Sequence, residues 1–146
     1  MSAIGNVILP GSKVFFDTPA FIYFCEERQP YLEKLTELFD RNDRGDFQIL
    51  TSTVTLIEVL TLPLRQGAWQ LASEYQEIIS NSPFIFVVPL DVAIARKAAD
   101  LRAAYGLQTP DAIQLATAIS SGCTAFLTND QQLSVVKEIN VIQLAE

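Results

Sequence analysis

The sequence has no histidine among its 146 residues. This absence excludes the imidazole ligands of zinc enzymes and every mechanism that uses histidine as a general base. Its two cysteines, Cys25 and Cys123, lie far apart and form no CxxC pair. They indicate neither a disulfide framework nor a thiolate metal site, so we expect a reducing, cytoplasmic compartment. The chemistry that is left is that of carboxylates, whose oxygen atoms suit Mg²⁺ or Mn²⁺.

Long apolar runs and an excess of positive charge are also missing. The longest central run, FIFVVPL, falls far short of the roughly 20 residues that span a bilayer. The opening MSAIGNVILP lacks the basic start and apolar stretch of a signal peptide, so no export or membrane segment is expected. The net charge of −7 argues against general nucleic-acid affinity. It leaves nucleic acid possible as a substrate, because a bound cation would offset a local acidic cluster.

Short apolar segments alternate with amphipathic ones, which predicts an α/β fold with a parallel sheet covered on both faces. The length fits one domain over residues 1–146. Strands are predicted at residues 13–16, 47–50, 84–88, 124–127 and 141–144. Helices are predicted to follow Thr18 and to cover residues 31–39, 53–64, 68–79, 91–105, 109–122 and 130–136. Thr18 is expected to cap the first of them, with Pro19 as its first residue.

Acidic residues stand where predicted strands end and helices begin. Asp17 follows the first strand and Asp130 follows the fourth, while Asp111 is expected as the second residue of the helix that starts after Thr109. Ligands of open α/β sheets bind at the carboxyl ends of the strands, so these carboxylates would share one crevice. Each also has an ordinary explanation, as a turn residue or as a favourable helix start.

Glu58 shares a helical spacing with Thr51, Thr55 and Arg65. That spacing fits a solvated polar stripe. It fits equally a stripe that faces the crevice, in which Glu58 ligates or positions a metal-bound water. A negative cluster among apolar neighbours needs a compensating cation, which points to a divalent metal.

Taken together, these segments resemble the PIN-domain nucleases, and within them the VapC-type toxins of bacterial toxin–antitoxin pairs. The resemblance covers about residues 13–144. It is carried by VFFDT, by TLIEVL, by TPDAIQLATAI with the upstream ARKAADLRAAYGL, and by FLTND. It implies a three-layer α/β/α sandwich on a five-stranded parallel sheet of order 3-2-1-4-5.

The resemblance also implies a site and partners. Asp17, Glu58, Asp111 and Asp130 match the four catalytic acids. Asp17, Asp111 and Asp130 match the acids that hold Mg²⁺ or Mn²⁺. Thr128 and Asn129 match supporting residues. The implied activity is a metal-dependent endoribonuclease, acting as a homodimer that a cognate antitoxin neutralises.

One residue departs from the family pattern, because Pro19 stands where many members carry a polar Asn or Ser. A contact to substrate or water is therefore in question, although the fold is not. Pro19 also argues against a phosphatase of the haloacid-dehalogenase type, which needs a second Asp at that position. A non-catalytic PIN-like scaffold that binds a protein or RNA partner is the alternative function. The stretch FIYF at residues 21–24 fits a buried core, and it also fits the lining of a groove or a dimer interface.

Overall fold

Strands and helices alternate along the computed structural model, which describes residue 4 and residues 7–145. The strands are β1 (Lys13–Phe16), β2 (Gln48–Ser52), β3 (Ile85–Val88), β4 (Ala125–Thr128) and β5 (Asn140–Gln143). The helices that frame them are α1 (Thr18–Cys25), α2 (Leu32–Asp43), α3 (Thr53–Arg65), α4 (Trp69–Asn81), α5 (Val92–Tyr105) and α6 (Thr109–Ser120). A 3₁₀ helix covers Gln131–Val135. Parts of the opening segment and the last residue of the expected 1–146 domain lie outside the described residues.

The five strands form one parallel sheet in the order β3-β2-β1-β4-β5. The predicted fold class and strand order are confirmed. Strand β1 lies at the centre, where Phe15 pairs with Leu50 of β2 on one side and with Phe126 of β4 on the other. The order reverses between β1 and β4, so the crevice of such a sheet opens beyond the carboxyl ends of these two strands.

The sheet separates two hydrophobic layers because neighbouring side chains of a strand point to opposite faces. Val14 and Phe16 face the layer of α1, α2 and α4, where the buried side chains include Phe21 and Tyr75. Phe15 faces the layer of α5 and α6 and stacks on Phe126, with ring centroids 5.1 Å apart. Apolar residues on both faces of β1 therefore produce the three-layer α/β/α arrangement.

Local capping fixes where the helices that follow strands begin. The carboxylate of Asp17 accepts from Thr18 N at the start of α1, and Ser52 Oγ accepts from Val54 N at the start of α3. Asp91 caps α5, as predicted. That helix ends at Gly106, whose φ of 69° is the left-handed conformation that favours glycine.

Several local expectations are corrected. Asp17, not Thr18, caps α1, so Pro19 is the second helical residue and not the first. Helix α2 continues beyond residue 39 to Asp43, because the buried Asn42 side chain donates to backbone carbonyl oxygens of two neighbouring segments. Helix α6 starts at Thr109, which makes Asp111 its third residue and not its second. The remaining predicted ends agree with the structure or differ from it by one or two residues.

Cys25 and Cys123 are both free thiols and partly buried. Among the described residues, no helix is both long and apolar enough to cross a bilayer.

Candidate active site

Asp17 lies at the end of the central strand and is 7% exposed. Its Oδ1 accepts from Thr18 N at 2.9 Å and from Gln114 Nε2 at 3.2 Å, while its Oδ2 accepts from Thr128 Oγ1 at 2.8 Å. Burial raises the pKa of this carboxyl to about 6, although the three hydrogen bonds lower it and the charge of Asp111 raises it. The ionised form is therefore destabilised by desolvation and only partly rescued by neutral donors.

A buried polar network supports Asp17 from the side of β2 and α3. Gln114 is 1% exposed and donates to Asp17 and, at 2.7 Å, to Thr55 Oγ1. Its carbonyl oxygen accepts from the hydroxyl of Ser52. Thr51 Oγ1 lies 2.8 Å from Thr55 Oγ1 and donates to the carbonyl oxygen of Phe16 at 3.0 Å. Both Thr51 and Thr55 are fully buried. A solvated stripe is therefore the wrong explanation for these two threonines.

Glu58 reaches the same place from α3. It is exposed, yet its Oε1 accepts from Thr18 Oγ1 at 2.6 Å. Thr18 directly follows Asp17, and its hydroxyl oxygen lies 3.4 Å from the hydroxyl oxygen of Thr55. Of the two alternatives for Glu58, this contact favours the one in which its side chain faces the crevice. Arg65 is exposed and lies in the last turn of α3.

Asp111 and Asp130 complete the acidic set electrostatically. Burial raises the pKa of Asp111, and the charges of Asp130 and Glu58 raise it further. Asp130 stands two residues beyond β4, where its Oδ1 accepts from Gln132 N and caps the 3₁₀ helix. Asp130 is therefore a helix cap and Asp111 lies in the first turn of a helix, as their ordinary explanations state. These roles are compatible with a shared site, because both helix starts lie at this edge of the sheet.

The arginines that form ion pairs do so with acids outside the candidate site. In the described part of the chain, ion pairs join Arg28 to Glu26, Arg41 to Asp46 and Arg96 to Asp100. None of these pairs includes one of the four clustered acids. Arg102 uses its Nε to bond the carbonyl oxygen of Leu107. The acidic crevice therefore carries mutually repelling carboxylates, which an added cation would relieve.

The donor chemistry of the crevice fits a divalent cation of the Mg²⁺ or Mn²⁺ kind, because its polar atoms are carboxylate and hydroxyl oxygens. The side-chain positions fit less closely. Within residues 7–145 and residue 4, no three or more Cys, Asp or Glu side chains lie close enough together to hold a metal ion. The acids are thus near enough to perturb one another's charge, but not gathered to ligand distance.

The two residues before Asp130, Thr128 at the end of β4 and Asn129 after it, have distinct contacts. Thr128 is fully buried, and its hydroxyl donates to Asp17 and accepts from Asp130 N at 3.1 Å. Asn129 donates to the hydroxyl oxygens of Tyr23 at 3.2 Å and Tyr31 at 3.4 Å. The Thr128 hydroxyl therefore joins the Asp17 carboxylate to the backbone of Asp130. Asn129, which precedes Asp130, instead bonds an aromatic pair.

Sequence reasoning did not identify Gln114 as part of this site. The signal was present, because Gln114 stands three residues after Asp111 on the same helix face, within the otherwise apolar run AIQLATAI. The pairing of Tyr31 with Tyr23 was also missed. Of the aromatic stretch at residues 21–24, Phe21 is fully buried, which supports the core explanation for that residue.

Comparison with known proteins decides the family. The model of the PIN domain matches residues 14–139, most of the chain. This chain belongs to the PIN domain family. A search of curated proteins finds no match. The family prediction made from VFFDT, TLIEVL, TPDAIQLATAI and FLTND is thereby confirmed.

Solved structures with this PIN fold include toxin–antitoxin proteins. A toxin–antitoxin complex from Klebsiella pneumoniae is 20% identical, with a TM-score of 0.68 over 90% of this chain and 97% of that chain. VapBC2 from Rickettsia felis, bound to a DNA fragment from its promoter, is 12% identical, with a TM-score of 0.70 over 90% and 98%. Mycobacterium tuberculosis VapC20, a toxin that cleaves the sarcin–ricin loop, is 17% identical, with a TM-score of 0.69 over 87% and 98%. At these identities the likeness shows the shared fold.

Proposed function

We propose that this PIN domain is a metal-dependent endoribonuclease and the toxin of a toxin–antitoxin pair. What supports the proposal is the approach of the four acids to the crevice edge of the sheet, where burial and neighbouring carboxylate charges raise the pKa values of Asp17 and Asp111 and Thr18 donates to Glu58. A cluster of this kind is stabilised when a cation neutralises it. The likeness of its fold to VapC20, which cleaves the sarcin–ricin loop, supports the choice of RNA as substrate.

Under this proposal, Asp17, Asp111 and Asp130 would hold Mg²⁺ or Mn²⁺, and Glu58 would complete the catalytic set. When bound, such an ion supplies Lewis-acid chemistry, because it acidifies water and neutralises charge on a phosphodiester. Thr128 and Thr18 hold carboxylates in place through their hydroxyl groups, and Gln114 fixes Asp17 from the opposite side. The carboxylates are expected to draw together on binding, since the described side chains are not at ligand distance from one another.

The surroundings of the protein follow from the same proposal. We infer a single PIN-like domain over residues 1–146 that acts in the cytoplasm on RNA. A cognate antitoxin would bind it, and a homodimer would be its working form. The VapBC complexes among its structural relatives support the antitoxin partner.

A cleavage assay with metal control tests the activity. Purified protein is incubated with structured and single-stranded RNA in Mg²⁺ or Mn²⁺, and then with EDTA. Wild type is expected to cleave only with metal, and Asp17→Asn and Asp111→Asn are expected to be inactive while remaining folded. Asp100→Asn is the matched control, because Asp100 lies exposed on α5 and pairs with Arg96. Wild-type rates in either site variant would refute the site.

A growth assay tests the toxin assignment separately. Expression of the wild-type chain in bacteria is expected to slow growth, and expression of Asp17→Asn is not. A toxic Asp17→Asn variant would separate toxicity from this site. The alternative, a PIN-like scaffold without catalysis, is favoured by Pro19 in α1 and by the open spacing of the acids. It predicts no metal-dependent cleavage at high protein concentration.

A further inference from the structure

Two tyrosines form a stacked pair beside the acidic crevice. The rings of Tyr23, on α1, and Tyr31, directly before α2, have centroids 4.6 Å apart and an interplanar angle of 14°. Both residues are partly exposed, although their inner surfaces pack against the core. Because both side chains are only partly buried, part of each remains within reach of a ligand.

One amide group orients both rings. Asn129 Nδ2 donates to the hydroxyl oxygen of Tyr23 and to that of Tyr31. Both hydroxyl groups act as acceptors in these bonds, and in the described part of the chain neither donates a hydrogen bond. Each therefore keeps an O–H hydrogen for a ligand. A pair held in this way is ordered before any ligand binds, which lowers the entropy lost on binding.

The pair is joined to the acids through three consecutive residues. Thr128 bonds Asp17, Asn129 bonds the tyrosines, and Asp130 belongs to the acidic set. Neighbouring Cα atoms are about 3.8 Å apart, so this segment spans roughly the size of one nucleotide. A group whose phosphate lies at the acids can therefore place its attached base near the rings.

We propose that Tyr23 and Tyr31 form a stacking platform for an RNA base next to the phosphate that is cleaved, with Asn129 as its positioning residue. The proposal rests on the proposed ribonuclease function for the identity of the ligand. Aromatic rings bind unpaired bases of single-stranded RNA by stacking, largely irrespective of base identity. The platform thus selects loops and unpaired segments, and the net charge of −7 makes such non-ionic binding important.

Binding of a short single-stranded oligonucleotide tests the platform without relying on cleavage. The Kd is measured by fluorescence anisotropy with Mg²⁺, in an Asp111→Asn background that keeps the RNA intact. Tyr31→Leu and Tyr23→Leu, which remove the ring, are expected to weaken binding about tenfold or more. Tyr31→Phe retains the ring and is expected to lose only a small part of the affinity. Tyr105→Leu is the control, because Tyr105 packs against the hydrophobic layer on the other face of the sheet and its hydroxyl bonds Glu138.

An oligonucleotide with one abasic position, chosen by scanning the strand for the position whose base contributes most to binding, provides a second arm that needs no ring variant. It is expected to bind the Asp111→Asn protein as weakly as intact RNA binds Tyr31→Leu in that background. Combining the abasic RNA with Tyr31→Leu is expected to give no further loss, because both changes remove the same contact. Independent, additive losses, or unchanged affinity in the leucine variants, would overturn the platform. If wild type cleaves no RNA but the abasic coupling is present, the nuclease proposal fails and the platform stands.

Discussion

The Asp17→Asn variant is expected to make the metal-free protein more stable above neutral pH. Burial raises the pKa of this carboxyl from 3.8 to about 6. That difference makes ionised Asp17 about 3 kcal/mol less favourable in the folded chain than in the unfolded chain. Asparagine removes the charge and fits the same contacts, since its Oδ1 accepts from Thr18 and Gln114 while its Nδ2 can donate to the Thr128 hydroxyl oxygen.

The sign of the pH dependence follows from the raised pKa. Below pH 3.8 the carboxyl is protonated in both the folded and the unfolded chain, so it carries no penalty. As the pH rises through about 6 the folded chain must ionise a buried group, and the associated stability is lost. The stability difference between Asp17→Asn and wild type should therefore widen by about 2.5 kcal/mol between pH 4 and pH 8, because a small part of the penalty is already present at pH 4.

Urea unfolding in EDTA at a series of pH values measures this difference. The difference in free energy of unfolding between the variant and wild type is expected to be about 2.5 kcal/mol larger at pH 8 than at pH 4. The Asp100→Asn control should show almost no pH-dependent difference, because Asp100 is exposed. A difference between Asp17→Asn and wild type that is constant from pH 4 to pH 8 would refute the argument that Asp17 is desolvated and uncompensated.

Three further substitutions test the supporting contacts. Thr128→Val removes the hydroxyl that donates to Asp17 and should destabilise the protein by about 1–3 kcal/mol at pH 8, measured by urea unfolding. Gln114→Leu leaves buried partners unpaired and should cost about 2 kcal/mol or more in the same assay. Glu58→Gln keeps the bond from Thr18, so stability should change by less than about 0.5 kcal/mol. The Mn²⁺ concentration that half-saturates RNA cleavage should nevertheless rise, and an unchanged value would remove Glu58 from the site.

The sheet could be predicted because its signals are local and agree with one another. β1 is a short apolar segment that ends at an acid and a helix start, and both of its faces are apolar, so a covered parallel strand was the consistent interpretation. Its exact cap could not be read in the same way. Asp17 and Thr18 are both good caps, and the choice depends on how the end of β1 enters α1.

The acids of the candidate site could be predicted, but the network that holds them could not. Strand ends and helix starts bring Asp17, Asp111 and Asp130 to one edge by topology alone. The contacts of Gln114 and Thr55 join residues 59 positions apart. No periodicity within one helix reports such a contact, because it depends on how α3 and α6 pack against the sheet.

A crystal soaked in Mn²⁺ tests most directly whether Asp17, Asp111 and Asp130 hold a cation. Anomalous density is expected at the crevice within ligand distance of Asp17, Asp111 and Asp130, with Mn–O distances near those of oxygen-bound divalent ions, about 2.0–2.2 Å. The carboxylates should have moved toward one another. Full Mn²⁺ occupancy elsewhere on a protein that cleaves RNA, with no density at these acids, would contradict the account.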